Sequence, residues 1–308
     1  MSSKPKLSVH VITYNHARFI GQALDSILAQ QVSFEYEIVV GDDCSTDGTA
    51  EIIRDYCDHW PGKIKAQFHD ANVGMMRNVR ETLERCEGEY IAFLEGDDYW
   101  TDPNKLQTQV EYLDQHPDCA LCHHRVEHIG WPDGIRLQEF PPQRYRTSRP
   151  DPRALAMINY VQTCSVMFRQ RLLPRFDEQF EQLRLGDWPL FVLLSQGGWI
   201  GYIDRTMAHY RVHANNTWNN RSADYKLKSM EMMAWYLFER VNADSKGLWM
   251  DTILALRFKE IALAMKALAI AKAFVRLKQF LICSVQFKKP FWLLNRLWPY
   301  YRVYNCGH

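Results

Sequence analysis

Two acidic clusters and one isolated aspartate carry the chemistry legible in this sequence. Asp97 and Asp98 follow the apolar run Tyr90–Leu94, and hard carboxylate oxygens fixed at a strand end are what Mg2+ or Mn2+ selects. A divalent ion held there would in turn hold a diphosphate. The same pair also reads as a plain cap for the turn leading to the helix that Thr101-Asp102-Pro103 opens. In the second cluster, residues 42–49, Ser45, Thr46 and Asp47 are N-cap candidates for the next helix. Asp43 is left able to accept an N–H from a heterocyclic base, with Thr13 and Asn15 close by on the preceding strand end. The run Asp43-x-Ser45-x-Asp47-Gly48 imitates a calcium loop, but Arg54 stands at the twelfth position where a bidentate Glu is required, so calcium is rejected. Asp187 lies between Gly186 and Trp188-Pro189-Leu190, at an expected helix N-terminus that favours a carboxylate; it serves equally as an N-cap or a general base.

Strand and helix signals alternate around these groups. Leu7–Thr13, Tyr36–Gly41, Ile64–Phe68 and Tyr90–Leu94 read as short strands. Between them lie helical patterns at about Ala17–Gln30, from Asp47 onward and across Asn78–Cys86; a further helix follows, from Thr101 to about His116. Such βαβ units build a parallel sheet covered on both faces, with ligands at the carboxyl ends of the strands. Thr13-Tyr14-Asn15, the 42–49 cluster and Glu95-Gly96-Asp97-Asp98 would then open onto one edge. Gly130–Pro152, dense in Pro, Gly and Arg, reads as a long surface loop. Val161–Phe168 and Trp199–Ile203 read as strands, and 223–241 as an amphipathic helix with Met230, Met233, Ala234, Leu237, Phe238 and Val241 on one face.

Composition bounds the rest. The 308 residues, 47% hydrophobic and 24% charged, describe a globular chain of one large domain with an appendage, or two domains. A net charge of +1 argues against a dedicated nucleic-acid binder. That sum hides an asymmetry: residues 1–260 hold 29 basic against 36 acidic side chains, whereas the rest hold eight basic and no acidic ones. Eight Cys and no apolar leader in MSSKPKLSVH point to a reducing, cytoplasmic setting. No run of 18 apolar residues occurs, so a spanning helix is not expected. Cys119-x-x-Cys122-His123 matches a haem-attachment pattern, but with no export signal and no second Cys pair it reads as reduced, buried thiols.

Taken in series, five motifs resemble the family 2 glycosyltransferases of the GT-A fold: Val11–Asn15; Asp42–Thr49; Asn72-Val73-Gly74 with Arg77-Asn78; Phe93–Trp100; and Gly186-Asp187-Trp188. The resemblance covers about residues 6–215. It implies a Rossmann-like, mostly parallel central sheet flanked by helices, with a catalytic domain over 1–220. That domain would have a nucleotide-sugar half at about 1–100 and an acceptor half at about 101–220. It implies that Thr13, Asn15 and Asp43 contact the base, commonly uracil, and that Arg77 approaches the nucleotide or diphosphate. Glu95 would lie near the ribose, where the family more often has Asp, with Asp97 as ligand of Mn2+ or Mg2+ and Asp98 beside it. Asp187 would be the base of an inverting transfer from a nucleoside-diphosphate sugar, expected to be a UDP-sugar, to a glycan or lipid-linked acceptor. In Tyr210-Arg211-Val212-His213 a His or Arg, here His213, would reach the metal or the diphosphate as the loop 214–218 closes, or His213 is a structural residue after the strand. Thr163-Cys164-Ser165 would line the sugar or acceptor pocket, or form an ordinary buried strand.

Residues 221–308 are expected to form a helical, basic C-terminal extension. Leu263, Ile270, Phe274, Leu277 and Leu281 share a stripe, with Lys266 and Lys278 at its margins and Arg276 farther round; beyond them cations mix with Trp and Tyr. That pattern fits a helix lying on an anionic membrane, hence a peripheral place on the inner face of the cell membrane; packing back on the protein or self-association is the alternative. Two competing functions remain: a sugar nucleotidyltransferase, whose Gly-rich N-terminal phosphate loop is missing here, and a non-catalytic nucleotide-binding or membrane scaffold, against which the intact Asp43, Asp97, Asp98 and Asp187 argue.

Overall fold

The computed structural model describes residues 4–214, 216, 218, 221–266 and 275–282. In chain order the elements are β1 (Leu7–Thr13), α1 (Ile20–Leu28), β2 (Tyr36–Asp42), α2 (Thr49–His59), β3 (Ile64–Phe68), α3 (Met75–Leu83), β4 (Tyr90–Glu95), β5 (Tyr99–Trp100), α4 (Lys105–Gln115), β6 (Cys119–Gly130), β7 (Arg136–Phe140), α5 (Pro152–Met157), β8 (Met167–Arg169), α6 (Glu178–Glu181), α7 (Asp187–Leu194), β9 (Trp199–Val212), α8 (Ala223–Arg240) and α9 (Ala243–Lys266). A last helical segment, α10, spans 275–282. The chain divides into two compact units, one of residues 1–151, 159–182 and 186–216, the other of 152–158, 183–185 and 217–308.

The first unit is built on a sheet of order β3-β2-β1-β4-β8-β6-β9-β5, with β7 paired to β6. Strands β3, β2, β1 and β4 are mutually parallel, as the alternation of strand and helix requires. Every residue of β2 and all but one of β1 are buried, because both faces are covered; the polar residues among them are paired, as where the Ser8 hydroxyl donates to Glu37 Oε1 at 2.6 Å. The order reverses at β1, which has β2 on one side and β4 on the other. A crevice is expected outside the carboxyl ends of strands at such a point. There Ile12 pairs with Glu95, and the Gly96 amide donates to the Ile12 carbonyl at 2.9 Å. Gly96 cannot be larger, since a Cβ would lie 2.6 Å from Thr13 Oγ1.

Beyond β4 the sheet becomes mixed: β8 is antiparallel to both β4 and β6, β5 to β9 and β7 to β6, while β6 and β9 run parallel. Three expectations are corrected here. The stretch 130–152 is not all loop: Arg136–Phe140 forms β7 in a hairpin with β6, hidden in the sequence because Ile135 and Leu137 are exposed and no apolar alternation marks it. Val161–Phe168 is not one strand; Thr163–Ser165 is a 3-10 turn, with the Ser165 hydroxyl donating to the Gln162 carbonyl, and only Met167–Arg169 pairs. Trp199–Ile203 is only the start of β9, which continues through register shifts against β6 to Val212 and so carries Arg211 toward the acidic edge.

In the second unit, Ser222 caps α8 by accepting the Tyr225 amide, and Leu227, Met230, Met233, Ala234 and Leu237 form its buried face. Thr252 ties α9 to α5 through the Ala156 carbonyl, and Arg257 pairs with Glu231 of α8 at 2.7 Å. In α10, Phe280 is buried near Phe258 and Arg276 pairs with Glu260, so this face packs on α9. Val275, Leu277, Leu281 and Ile282 remain exposed. The side chains of Leu263 and Lys266, and Ile270, Lys272, Phe274 and the cations after Ile282, lie outside the described residues. Among the described residues no helix is long and apolar enough to cross a membrane.

Candidate active site

The ends of β1 and β2 are held by local polar chemistry. Asn15 takes a left-handed φ of 56°, a conformation its short amide tolerates, and its Oδ1 accepts the Thr46 amide at 2.8 Å. Its own amide donates to Ser45 Oγ. Cys44 is also left-handed, at φ 62°, so the acidic cluster turns sharply after β2. Asp47 accepts the Ala17 amide and the Thr49 amide and hydroxyl, which fixes it as a structural cap beside α2.

Asp43 is buried, and its two carboxylate oxygens accept the amides of Val73 at 2.7 Å and Gly74 at 3.1 Å. It therefore organises the Asn72-Val73-Gly74 loop. Burial raises its pKa, against the pull of these two donors. Thr13 Oγ1 is buried and has no hydrogen-bond partner, a free polar atom at the crevice between β1 and β4. Arg77, on α3, is half-exposed and pairs with Glu81 at 2.7 Å.

At the end of β4 four acids come together. Asp97 Oδ2 lies 3.0 Å from His213 Nε2 and 3.8 Å from His16 Nε2. Burial opposes the Asp97 charge, but the His213 hydrogen bond and the two neighbouring imidazoles prevail and hold this carboxyl below its ordinary range. Asp98 points the other way: it is fully buried, its Oδ1 accepts the Arg211 amide at 2.8 Å, and the Cys164 thiol lies against its carboxyl. Burial and the Asp97 charge push its pKa well up, and burial reinforced by Asp98, Asp97 and Asp187 does the same to Glu95. The adjacent carboxylates thus divide: Asp97 is the ionised group toward the histidines, and Asp98 fastens β9 to the turn.

Asp187 opens α7, where Asn159 Nδ2 donates to its Oδ2 at 2.8 Å and Thr163 Oγ1 lies at 3.4 Å. Burial raises its pKa, tempered by the Trp188 amide and these two side chains. An oriented carboxylate with a raised pKa is suited to taking a proton near neutral pH. Two residues of the site, His16 beside Asp97 and Asn159 beside Asp187, escape sequence reasoning. His16 has one faint signal, its place directly after Thr13-Tyr14-Asn15; Asn159 lies in an irregular stretch with none. The buried and free Cys119 and Cys122, the former with its thiol pushed up to about 12 by burial, fit the reading of structural thiols.

Asp97 and His213 supply a carboxylate oxygen and an imidazole nitrogen at a separation that one divalent cation could span. Among the described residues no group of three or more His, Cys, Asp or Glu converges as a complete metal cage. A cation there would take its other ligands from phosphate oxygens and water, as Mg2+ and Mn2+ commonly do.

Residues 8–173 match the model of glycosyl transferase family 2. An uncharacterized protein of Mycobacterium tuberculosis is 39% identical over 218 residues, 71% of this chain; the chain thus spans 62% of that relative's length. The Staphylococcus aureus poly(ribitol-phosphate) beta-N-acetylglucosaminyltransferase TarS is 27% identical over 256 residues, 81% of this chain and 43% of its own. Among solved structures, TarS 1-349 in complex with UDP-GlcNAc superposes with a TM-score of 0.58 at 17% identity, covering 93% of each chain. A mannosyltransferase from Pyrobaculum calidifontis, in complex with GDP-Man and Mn2+, gives 0.59 at 18% identity over 97% of this chain and 85% of its own. The fold is that of the GT-A glycosyltransferases, and with more than half of its length matched by the family model the chain belongs to glycosyl transferase family 2.

Proposed function

We propose that this protein is an inverting glycosyltransferase that moves a sugar from a UDP-sugar to a hydroxyl of a glycan or lipid-linked acceptor. One observation carries the reading. An ionised Asp97 paired with His213 and an oriented Asp187 of raised pKa meet around the same strand end, with Glu95 sensing both charges. Thr13, Asn15 and the loop held by Asp43 would receive the uridine, with Glu95 toward the ribose and Arg77 within reach of the diphosphate on release from Glu81. Asp97 and His213 would hold Mn2+ or Mg2+, which when bound supplies charge stabilisation to the leaving diphosphate. Asp187 would take the acceptor hydroxyl proton as that oxygen bonds to the anomeric carbon and the bond to the diphosphate breaks, a single displacement that inverts the centre. Asn159 and Thr163 would keep its oxygen aimed.

TarS, by its name, acts on a poly(ribitol-phosphate), and its solved complexes contain UDP or UDP-GlcNAc; both favour a UDP-sugar donor and a polymeric acceptor here. We further propose that residues 221–308 act as a separate extension seating the protein on the cytoplasmic face of an anionic membrane. The exposed Val275, Leu277, Leu281 and Ile282, with Lys278 among them and no acidic residue after Glu260, support that placement. The alternative, α10 as a contact between two copies, would show as a dimer in solution.

The deciding experiment is thermal stabilisation by a panel of nucleoside diphosphates with and without Mn2+, beside Asp97→Asn. Stabilisation by UDP that needs both the metal and an intact Asp97 is expected. Equal stabilisation of the variant would overturn the metal assignment, and none by any nucleotide would overturn the transferase reading.

A further inference from the structure

Next to the metal-ligating turn, but outside the groups assigned above, lies a cavity of about 150 Å³ lined by Arg18, Phe19, Gln22, Tyr99, Trp131 and Arg211, among others. It is small beside the ~300–1,000 Å³ of sites for drug-sized ligands and suits one ring. Its lining carries two guanidiniums and no carboxylate, with Asp97 and Asp98 acting on Arg211 from behind it. Arg18 is exposed and makes no ion pair among the described residues; its guanidinium rests 5.6 Å from the Trp131 ring. Arg211 is 5% exposed, and its guanidinium donates to the Asp97 backbone carbonyl and to Gln22 Oε1 rather than to a carboxylate, between the rings of Tyr99 and Phe19. Two guanidiniums without a carboxylate bonded to either thus face one cavity whose wall is an indole, 39% exposed.

That combination selects a ligand class. A guanidinium fork recognises a carboxylate or phosphate through paired N–H bonds. The electron-rich face of a tryptophan accepts polarised C–H groups such as those on one face of a pyranose ring. We propose that this cavity binds one sugar residue of an acidic saccharide, with the ring on Trp131 and the anionic group between Arg18 and Arg211. The cavity is tied to the metal-ligating pair by two contacts: Arg211 holds the Asp97 carbonyl, and Phe19 lies edge-on to Trp131 at 5.3 Å and against His213 at 4.9 Å. An occupied cavity therefore steadies both proposed metal ligands. Calling the saccharide part of the acceptor rests on the transferase reading; its binding does not.

The test is calorimetric titration of the full chain, saturated with UDP and Mn2+, with four probes: tetragalacturonate, mannose 6-phosphate, neutral cellotetraose and inorganic phosphate. Binding of tetragalacturonate, of mannose 6-phosphate or of both, at least tenfold tighter than cellotetraose and phosphate and weakening with added salt, is expected; which one binds names the carboxylate or the phosphate as the anionic source. Arg18→Ala and Trp131→Ala, both at exposed positions, should each cost about tenfold in that affinity while leaving UDP binding unchanged. Arg18→Lys should restore part of it. Phosphate binding as tightly as the sugars would reduce the cavity to a simple anion site and overturn the proposal, as would equal binding of the neutral sugar, no binding at all, or full affinity in both Ala variants. Failure of UDP to bind would instead strike the transferase reading, with the saccharide titration of the unloaded chain still deciding the cavity.

Discussion

His213 Nε2 lies 3.0 Å from Asp97 Oδ2, although the two residues are 116 positions apart and come from the ends of different strands. The Asp98 carboxylate makes this meeting by accepting the Arg211 amide, which locks the end of β9 against the turn after β4 two residues before His213. Metal affinity should depend on this pair rather than on Asp98. His213→Ala and Asp97→Asn should each weaken Mn2+ binding by about tenfold or more, read by electron paramagnetic resonance of free Mn2+ in the presence of UDP. Unchanged affinity in His213→Ala would remove it from the metal site.

Asp187→Asn keeps the shape and the hydrogen bond from Thr163 but removes the proposed base, so turnover should fall by roughly 10²–10⁴-fold with UDP-sugar affinity intact. Equal loss of donor binding would undo its assignment. Since burial raises the Asp187 pKa and the base acts deprotonated, activity should fall on acidification at a pH above the ordinary carboxylate range near ~3.9. An acid limb at or below that range would contradict the burial argument.

Asp43 acts through a loop. Asp43→Ala leaves the Val73 and Gly74 amides without their acceptors and should destabilise the fold by about 1–3 kcal/mol in chemical denaturation. It should also weaken UDP binding, because the loop after β3 loses its anchor. A variant with normal UDP affinity would show that the loop is not part of the nucleotide site.

Lys105 is fully buried, bonded to Gln109 Oε1 at 2.6 Å and 4.0 Å from the Trp100 ring, and burial lowers its pKa to about 7. The unfolded chain holds this proton up to about pH 10.4, so between pH 7 and 10 it binds more protons than the folded chain. Stability should therefore rise with pH across that window and be lowest, as far as this group goes, below pH 7. Lys105→Met should flatten the rise and add on the order of 1–4 kcal/mol at pH 6, measured by denaturant titration at several pH values. A less stable variant at pH 6 would mean that the ammonium is better solvated than its surroundings indicate.

For the extension, Leu277→Glu with Leu281→Glu should release the protein from anionic vesicles in a sedimentation assay while leaving its folding and nucleotide binding unchanged. Persistent sedimentation would remove the apolar face of α10 as the membrane contact.

The parallel half of the sheet was legible in the sequence. Leu7–Thr13, Tyr36–Gly41, Ile64–Phe68 and Tyr90–Leu94 read as short strands separated by helical periods, and the structure pairs them in parallel with β1, β2 and β4 largely buried. The sequence also placed Thr13, Asp43, Glu95 and Asp97 at strand ends, because in a parallel sheet the residue after a strand must emerge on the carboxyl edge. What the side chains at that edge do follows instead from contacts made across the folded chain. Asp97 and Asp98 are indistinguishable in sequence, yet one meets two histidines and the other an internal amide, since successive residues of a turn point in different directions. The strand β7 and the long β9 were hidden for a related reason: exposed or bulged strands owe their existence to partners far away in the chain, here β6, and carry no apolar alternation of their own. Asn159 at Asp187, His16 at Asp97 and Arg211 between two rings are likewise products of long-range packing.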